Sequence, residues 1–318
     1  MKQFISKCLI YSVMIILCSV VFLRILVSFP NDYCRQSHEI NVVRQIERMK
    51  SIKEPKIIII GGSGCGFGLS SSLICKHFSM PVCNTGTNAG MGIIIQLKIC
   101  EPFIREGDIV VVIPEYDNYM GQSYLGDATV LRIFSSIYPS GYESLSLRQQ
   151  LHLVQYAPSA FIDAMKSLNW TFLDEEQVCN PYSMKSLNEY GDVECYENRV
   201  HQATKDWTAS TWKQTRIQKK AIAALQEYDR LCKERGATML MFPPAFKAMD
   251  FDVNKDCIHT IWKSSEEAQL PLVSCPEDYR MADTLHYDTN YHLTYEEVLI
   301  RTNRLIKDMD SVLRIYGN

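Results

Sequence analysis

Residues 56–69 read KIIIIGGSGCGFGL, and this stretch decides the fold. Four consecutive β-branched residues, Ile57 to Ile60, show no alternation with polar ones and stop at Gly61 and Gly62. A strand of a parallel sheet, buried on both faces, has this pattern. The glycines tolerate the backbone angles of a sharp turn, so Ser63 is expected at the carboxyl end of the first strand with its hydroxyl presented upward. In open α/β sheets that edge is where ligands bind. A phosphate cradle fails on spacing: the dinucleotide pattern would need a third glycine where Phe67 stands, and no Lys-Ser/Thr pair follows for a P-loop. Two readings stay open for Ser63. It satisfies local backbone groups in a turn, or it is a nucleophile, which requires a base elsewhere in the chain and donors for an oxyanion.

Outward from this strand, short apolar runs alternate with helical patterns. Helices are expected over 70–78, 90–105, 212–235, 255–268 and 294–313; strands are expected over 81–84, 108–114 (DIVVVIP), 238–242 (TMLMF) and 272–273. Gly236 is placed to stop the helix over 212–235, and Thr294 and Glu297 have capping-box spacing for the last. Alternation of this kind implies a parallel sheet with helices on both faces, a three-layer α/β/α fold with the flavodoxin-like strand order. Residues 116–210 interrupt the alternation at a length that needs structure of its own. With helical patterns at 147–156 and 159–168, this insertion is expected to be largely helical. It is either a cap over the Ser63 edge or a solvated decoration.

Toward the amino terminus, Lys2 and Lys7 precede an apolar run from Cys8 to Leu23, then Arg24 and Ile25 to Val27. One helix through residues 1–29 approaches the roughly 20 residues a membrane span needs. The basic end favours a cytoplasmic amino terminus, with the rest exported and periplasmic in a Gram-negative cell. No A-x-A-like cleavage site follows the run, which favours a retained anchor over a signal peptide. Residues 30–55 are charged, with a weak helical pattern over 40–49, and suit a juxtamembrane stalk. The formal net charge of −3 gives no reason to expect nucleic acid as a partner. Of 12 cysteines, Cys8 and Cys18 lie in the apolar run and the rest lack C-x-x-C spacing. Cys179 with Cys195, and Cys257 with Cys275, are the local disulfide candidates in an exported domain.

The base that Ser63 would need is offered by ADTLHYDTNYHLT, residues 282–294, just before the last helix. His292 and Asp288 share this loop, which should also lie over the sheet's carboxyl edge; an imidazole there could take the serine proton while the carboxylate fixes its tautomer. Asp283 and His286 form a second pair in the same segment. Two His and two Asp this close also permit a metal, although the spacing matches no metal motif. Cys65 offers a thiol alternative to the hydroxyl.

Three blocks together resemble the SGNH/GDSL hydrolase superfamily: Gly61-Gly62-Ser63 after the first strand, residues 84–90 (NTGTNAG) after the second, and Asp288-x-x-x-His292-Leu293 before the last helix. Within it, the resemblance is to membrane-anchored members associated with envelope polysaccharides, and it spans residues 56–313 apart from the insertion. It implies an esterase, lipase or carbohydrate O-acetyltransferase that works without metal or organic cofactor. Ser63 stands where the family has its nucleophile, His292 where it has its base, and Asp288 near the orienting acid. The Ser63 N–H and that of Gly86 or Gly90 would form the oxyanion hole. The sequence departs from the family at Gly62, where an Asp is usual, and at Pro114-Glu115-Tyr116-Asp117-Asn118, which replaces G-x-N-D. Asn118 is the residue there that could donate to the oxyanion from a shifted position. The spacing from Asp288 to His292 is also one residue longer than usual. The resulting expectation is an anchored serine esterase or O-acyltransferase. Its partners would be an acylated glycan or acyl donor and a polysaccharide-biosynthesis complex. The alternative is a non-catalytic glycan-binding or assembly protein on the same fold.

Overall fold

Four parallel strands form the central sheet in the computed structural model of the chain, which describes residues 2–169, 179–195, 198–201, 211–212 and 217–316. They are β1 (Ile57–Gly61), β2 (Val82–Asn84), β3 (Ile109–Ile113) and β4 (Thr238–Met241), in the order β2-β1-β3-β4. β1 lies in the middle, with Ile57 opposite both Val82 and Ile109, and Gly61 opposite Ile113. The expected strand at 272–273 is reduced to a single parallel bridge from Met241 to Leu272.

Strand residues divide by parity between two cores, as a period of two requires. Ile58, Ile60, Val110, Val112, Met239 and Met241 face a core completed by the helices Asn41–Ser51, Ile93–Cys100, Lys219–Glu234 and Ala248–Glu267. Ile57, Ile59, Val111, Ile113 and Leu240 face the opposite core, closed by Ser71–Phe78 and the last helix, Tyr295–Tyr316. The unalternated isoleucine run is therefore buried on both sides, and every residue of β1 and β3 is buried. Gly236 ends its helix with φ of +72°, where a side chain would be strained. The helix expected from 212 begins at Lys219, residues 213–216 lying outside the described residues, and the one expected from 255 already begins at Ala248.

At the amino edge of the sheet, Lys56 Nζ meets Asp108 Oδ2 at 2.6 Å with both side chains fully buried. Asp108 also accepts the backbone N–H of Lys56 and of Arg105, and Lys56 Nζ donates to the Phe103 carbonyl. The pair pins the starts of β1 and β3 in one register. A two-residue parallel ladder, β5 (Phe246–Lys247) with β6 (Arg280–Met281), has no periodic signal in the sequence. Lys247 N–H donates to the Asn290 carbonyl, so the ladder steadies the loop that carries Asp288 and His292.

The first helix, Lys2–Ser28, is long and apolar enough to cross a membrane: a window within it has mean hydropathy 2.6 and is 6% buried. The stalk expected over 30–55 is corrected by the structure. Cys34, Val42, Ile46 and Met49 are buried in the main core, and Asn41 Nδ2 donates to the Asn84 carbonyl at the end of β2. Amphipathic spacing that read as a solvated helix is the inner face of a core helix.

The insertion divides in two. Helices Ala128–Ser136, Leu147–Val154 and Ala157–Lys166 gather beside the end of the first helix, where Phe29 meets Phe161 edge to face at 5.2 Å. Residues 179–195 instead return to the carboxyl edge of the sheet, closed by the disulfide Cys179–Cys195. Cys257 and Cys275, the other expected pair, are both free thiols. Residues 179–195 are thus the described part of the insertion that reaches the carboxyl edge; the parts at 170–178, 196–197 and 202–210 lie outside the described residues.

Asp108→Asn leaves the Lys56 ammonium buried without its counter-charge. Equilibrium urea unfolding in detergent micelles is expected to show a loss of about 3 to 5 kcal/mol, recovered in part when Lys56→Met is combined with Asp108→Asn, which keeps an acceptor for a backbone N–H. An unchanged midpoint for Asp108→Asn would show that the pair does not hold the two strands.

Candidate active site

Ser63 opens a one-turn helix, Ser63–Gly66, directly after β1, and is partly exposed while its neighbours are buried. The glycines serve space rather than angle. Gly62 has φ of −82°, open to any residue, but a Cβ there would lie 2.3 Å from Glu115 Oε1. A Cβ on Gly61 would lie 2.5 Å from the Ile113 carbonyl oxygen. Strand β3 and the turn after it therefore press directly on the serine turn.

The loop before the last helix reaches the same place. A Cβ on Gly64 would stand 3.3 Å from the Cβ of Tyr291, the residue before His292. The His292 ring stacks on Phe67, one helical turn beyond Ser63, with centroids 4.1 Å apart and planes 8° from parallel. His292 Nδ1 is 2.8 Å from Asp288 Oδ1, and the imidazole is 4% exposed. Tyr182, brought in by the disulfide-closed segment, donates its hydroxyl to the other carboxylate oxygen and lies 3.3 Å from the same ring nitrogen. No hydrogen bond joins the Ser63 hydroxyl to the imidazole; the ring stack and the Gly64–Tyr291 contact bring the histidine loop against the serine turn. Such bonds are often long in unliganded sites.

The second pair, Asp283 and His286, is not assembled. Asp283 Oδ1 accepts the Met249 N–H, while the His286 ring is fully buried with no partner on either nitrogen. Burial and the neighbouring cations push the His286 pKa down to about 3, so it is a neutral core side chain. Cys65 is also buried, and desolvation pushes its thiol up to about 12, which removes the thiolate that a Cys nucleophile needs.

Two of the expected oxyanion donors have other duties. Gly86 N–H donates to Asn84 Oδ1 at 3.1 Å, and Gly90 N–H donates to Asn88 Oδ1 at 2.9 Å, so each amide closes its own turn. Gly86 instead permits close approach: its Cβ would lie 2.5 Å from that of Cys65. Asn118 is buried, Oδ1 lacks a partner, and no hydrogen bond links its amide to the serine turn. The turn carrying it is tied to the histidine loop through Tyr291, whose hydroxyl accepts the Tyr116 N–H and donates to Asp117. Of the expected backbone donors, the Ser63 N–H is the one with no acceptor among the described residues.

Sequence reasoning passed over Glu115 and Arg301. Glu115 Oε1 accepts the Gly64 N–H at 3.0 Å and is buried against Gly62. Burial raises its pKa from 4.5 to about 7, with Asp117 adding to the rise and the Gly64 N–H and Arg301 opposing it. Arg301, on the last helix, is buried and donates Nη1 to the Gly64 carbonyl, while Nε and Nη2 have no partner. Glu115 follows Pro114 at a strand end, and its contact with a turn 51 residues earlier leaves no local sequence signal. His38 was missed because its segment read as a stalk; its Nε2 lies 3.3 Å from the Thr87 carbonyl, and its ring meets Phe67 and Tyr182 edge-on. No family model matches this chain, and the comparison with curated proteins found no match.

Glu115 gives a pH-dependent prediction. Its carboxyl stays neutral in the fold up to about pH 7, whereas the ordinary value is 4.5. Between these, the unfolded chain gains a charge that the folded chain does not, so wild-type stability falls as pH rises through the window; above it the cost is complete, on the order of 3 kcal/mol. Glu115→Gln retains an acceptor for Gly64 and removes the titration. Thermal midpoints are expected to favour the variant increasingly from pH 4 to pH 8; an offset that does not vary with pH would exclude a buried neutral carboxyl.

Proposed function

We propose that the chain is a membrane-anchored serine esterase or O-acyltransferase of SGNH type that acts on ester groups, most simply O-acetyl, of a cell-envelope polysaccharide. The observation that carries this reading is the Asp288–His292 hydrogen bond with the imidazole stacked one turn from Ser63. A loop near the carboxyl terminus has no structural need to bring an acid-oriented imidazole to a partly exposed serine at the sheet edge. The strand order β2-β1-β3-β4 also agrees with the first four positions of the flavodoxin-like order, which supports the SGNH fold.

In this reading His292 Nε2 takes the Ser63 proton as Oγ attacks the acyl carbon. Asp288, held in turn by Tyr182, keeps the proton on Nδ1 and stabilises the imidazolium. The Ser63 N–H, at the start of a helical turn, receives the developing oxyanion. Collapse expels the sugar oxygen, which takes the proton from His292, and leaves an acyl-enzyme. Water gives hydrolysis, and a second sugar hydroxyl gives transfer. The extracytoplasmic placement of the domain follows from the charge at the amino end of the first helix.

A second reading, a glycan-binding or assembly protein without turnover, has one observation in its favour. The Gly86 and Gly90 amides are engaged, and a carboxyl stands against the serine turn where donors would be expected.

A fluorophosphonate probe separates the two. The enzyme is expected to label at Ser63, to lose labelling in Ser63→Ala, and to hydrolyse p-nitrophenyl acetate; a folded preparation that neither labels nor turns over supports the binder. Asp288→Asn is expected to lower kcat by roughly 10³- to 10⁴-fold through the wrong tautomer. Tyr182→Phe removes one hydrogen bond to the carboxylate and is expected to lower kcat by about tenfold with little change in KM. Equal kcat values for wild type and Asp288→Asn would exclude the proposed diad.

A further inference from the structure

A cavity of about 490 Å³ lies far from Ser63, between the end of the first helix and the helix Leu147–Val154. Leu23 and Val27 line it from one side, Leu147, Leu151 and Val154 from the other, and Arg24 stands among them. The last three occupy one helical face and remain 70%, 67% and 40% exposed. Apolar exposure of this size on a folded face calls for a covering partner. The following helix, Ala157–Lys166, adds Ile162 at 51% and Met165 at 44% exposure, again on one face, and it packs on the first helix.

The depth of the cavity identifies what covers it. The apolar run begins at Cys8 and ends at Val27, about 30 Å of helix, which is the hydrocarbon thickness of a bilayer. Leu23 to Val27 therefore lie at its far boundary, where acyl chains give way to headgroups. Arg24 shares the cavity lining with Glu143 but forms no ion pair with it, and its length lets the guanidinium rise to phosphate level. The helix Ala128–Ser136 and the turn that leads from it to the groove are fixed at this height, because Tyr142 donates its hydroxyl to the Val27 carbonyl and the Asn31 N–H donates to Ser136 Oγ.

We infer that the groove between Leu23–Val27 and the face of Leu147, Leu151 and Val154 binds a phospholipid of the leaflet on the domain's side, its acyl chain in the groove and its phosphate on Arg24. The two insertion helices then lie in the interface as amphipathic helices continuous with the span. This rests on the first helix being a membrane anchor, but not on the chemistry at Ser63.

The test reconstitutes the full chain in phosphatidylcholine–phosphatidylglycerol vesicles containing a phospholipid with a diazirine in its acyl chain. After photolysis, mass spectrometry locates the label. Label is expected on residues 147–154 as well as on 8–27. Leu147→Asp with Leu151→Asp, both at exposed positions, is expected to lower labelling of 147–154 about tenfold or more while labelling of 8–27 and the thermal midpoint stay the same. Label confined to 8–27 overturns the groove and leaves the anchor standing. Label absent from both segments overturns the anchor reading and the groove with it, and undiminished labelling in the double variant also overturns the groove.

Discussion

The close approach of three chain segments to the turn after β1 is the constraint on which the rest depends. Gly61 admits the Ile113 carbonyl, Gly62 admits the Glu115 carboxyl, and Gly86 lies under Cys65 at distances no side chain would allow. Gly191 completes the set from the insertion, with φ of +99° and its missing Cβ 2.2 Å from the Asn84 carbonyl oxygen. Replacing any of these by a larger residue would displace backbone rather than a flexible side-chain end, except at Gly62, where the obstruction is the carboxyl itself. A partly exposed serine in so crowded a turn has few alternative positions, which is the preorganisation that a nucleophile needs.

Crowding also concentrates buried polar groups, and each is resolved differently. Asp192 accepts the Ser71 N–H, the Ser71 hydroxyl and an Asn84 N–H, and so ties the insertion to β2 and to the helix after the serine turn. Burial still raises its pKa, those hydrogen bonds opposing the rise. Glu115 receives one backbone N–H, and burial raises its pKa to about 7, so it is neutral below that pH. Neutrality matters at that place, because an ionised carboxylate against Gly62 and Gly64 would oppose an oxyanion forming at Ser63. Arg301, also buried, donates to the Gly64 carbonyl and is a fixed cation on the same backbone.

The parts of this arrangement that repeat along the chain were legible in the sequence. The isoleucine run, DIVVVIP and TMLMF each announced a doubly buried strand, and of the two Asp/His pairs in the last loop Asp288 and His292 are the ones that hydrogen-bond to each other. What was not legible depends on contacts between distant residues. The helix Asn41–Ser51 carries a pattern compatible with solvent or core, and only the assembled sheet decides between them. The N–H groups of Gly86 and Gly90 read as free because nothing in a sequence tells that the Asn two residues earlier will accept them. Two-residue strands such as β5 and β6 fall below any periodicity.

The insertion joins the two ends of the molecule's task. Residues 179–195 are fastened to the serine turn through the Val193 N–H on the Gly66 carbonyl, and they deliver Tyr182 to Asp288. Residues 128–167 are fastened to the first helix and the residues just after it through Tyr142, Phe161 and Ser167. Because the segment expected to be a stalk is itself core, the domain cannot swivel on a flexible tether. The position of Ser63 relative to the end of the first helix is therefore set by packed side chains.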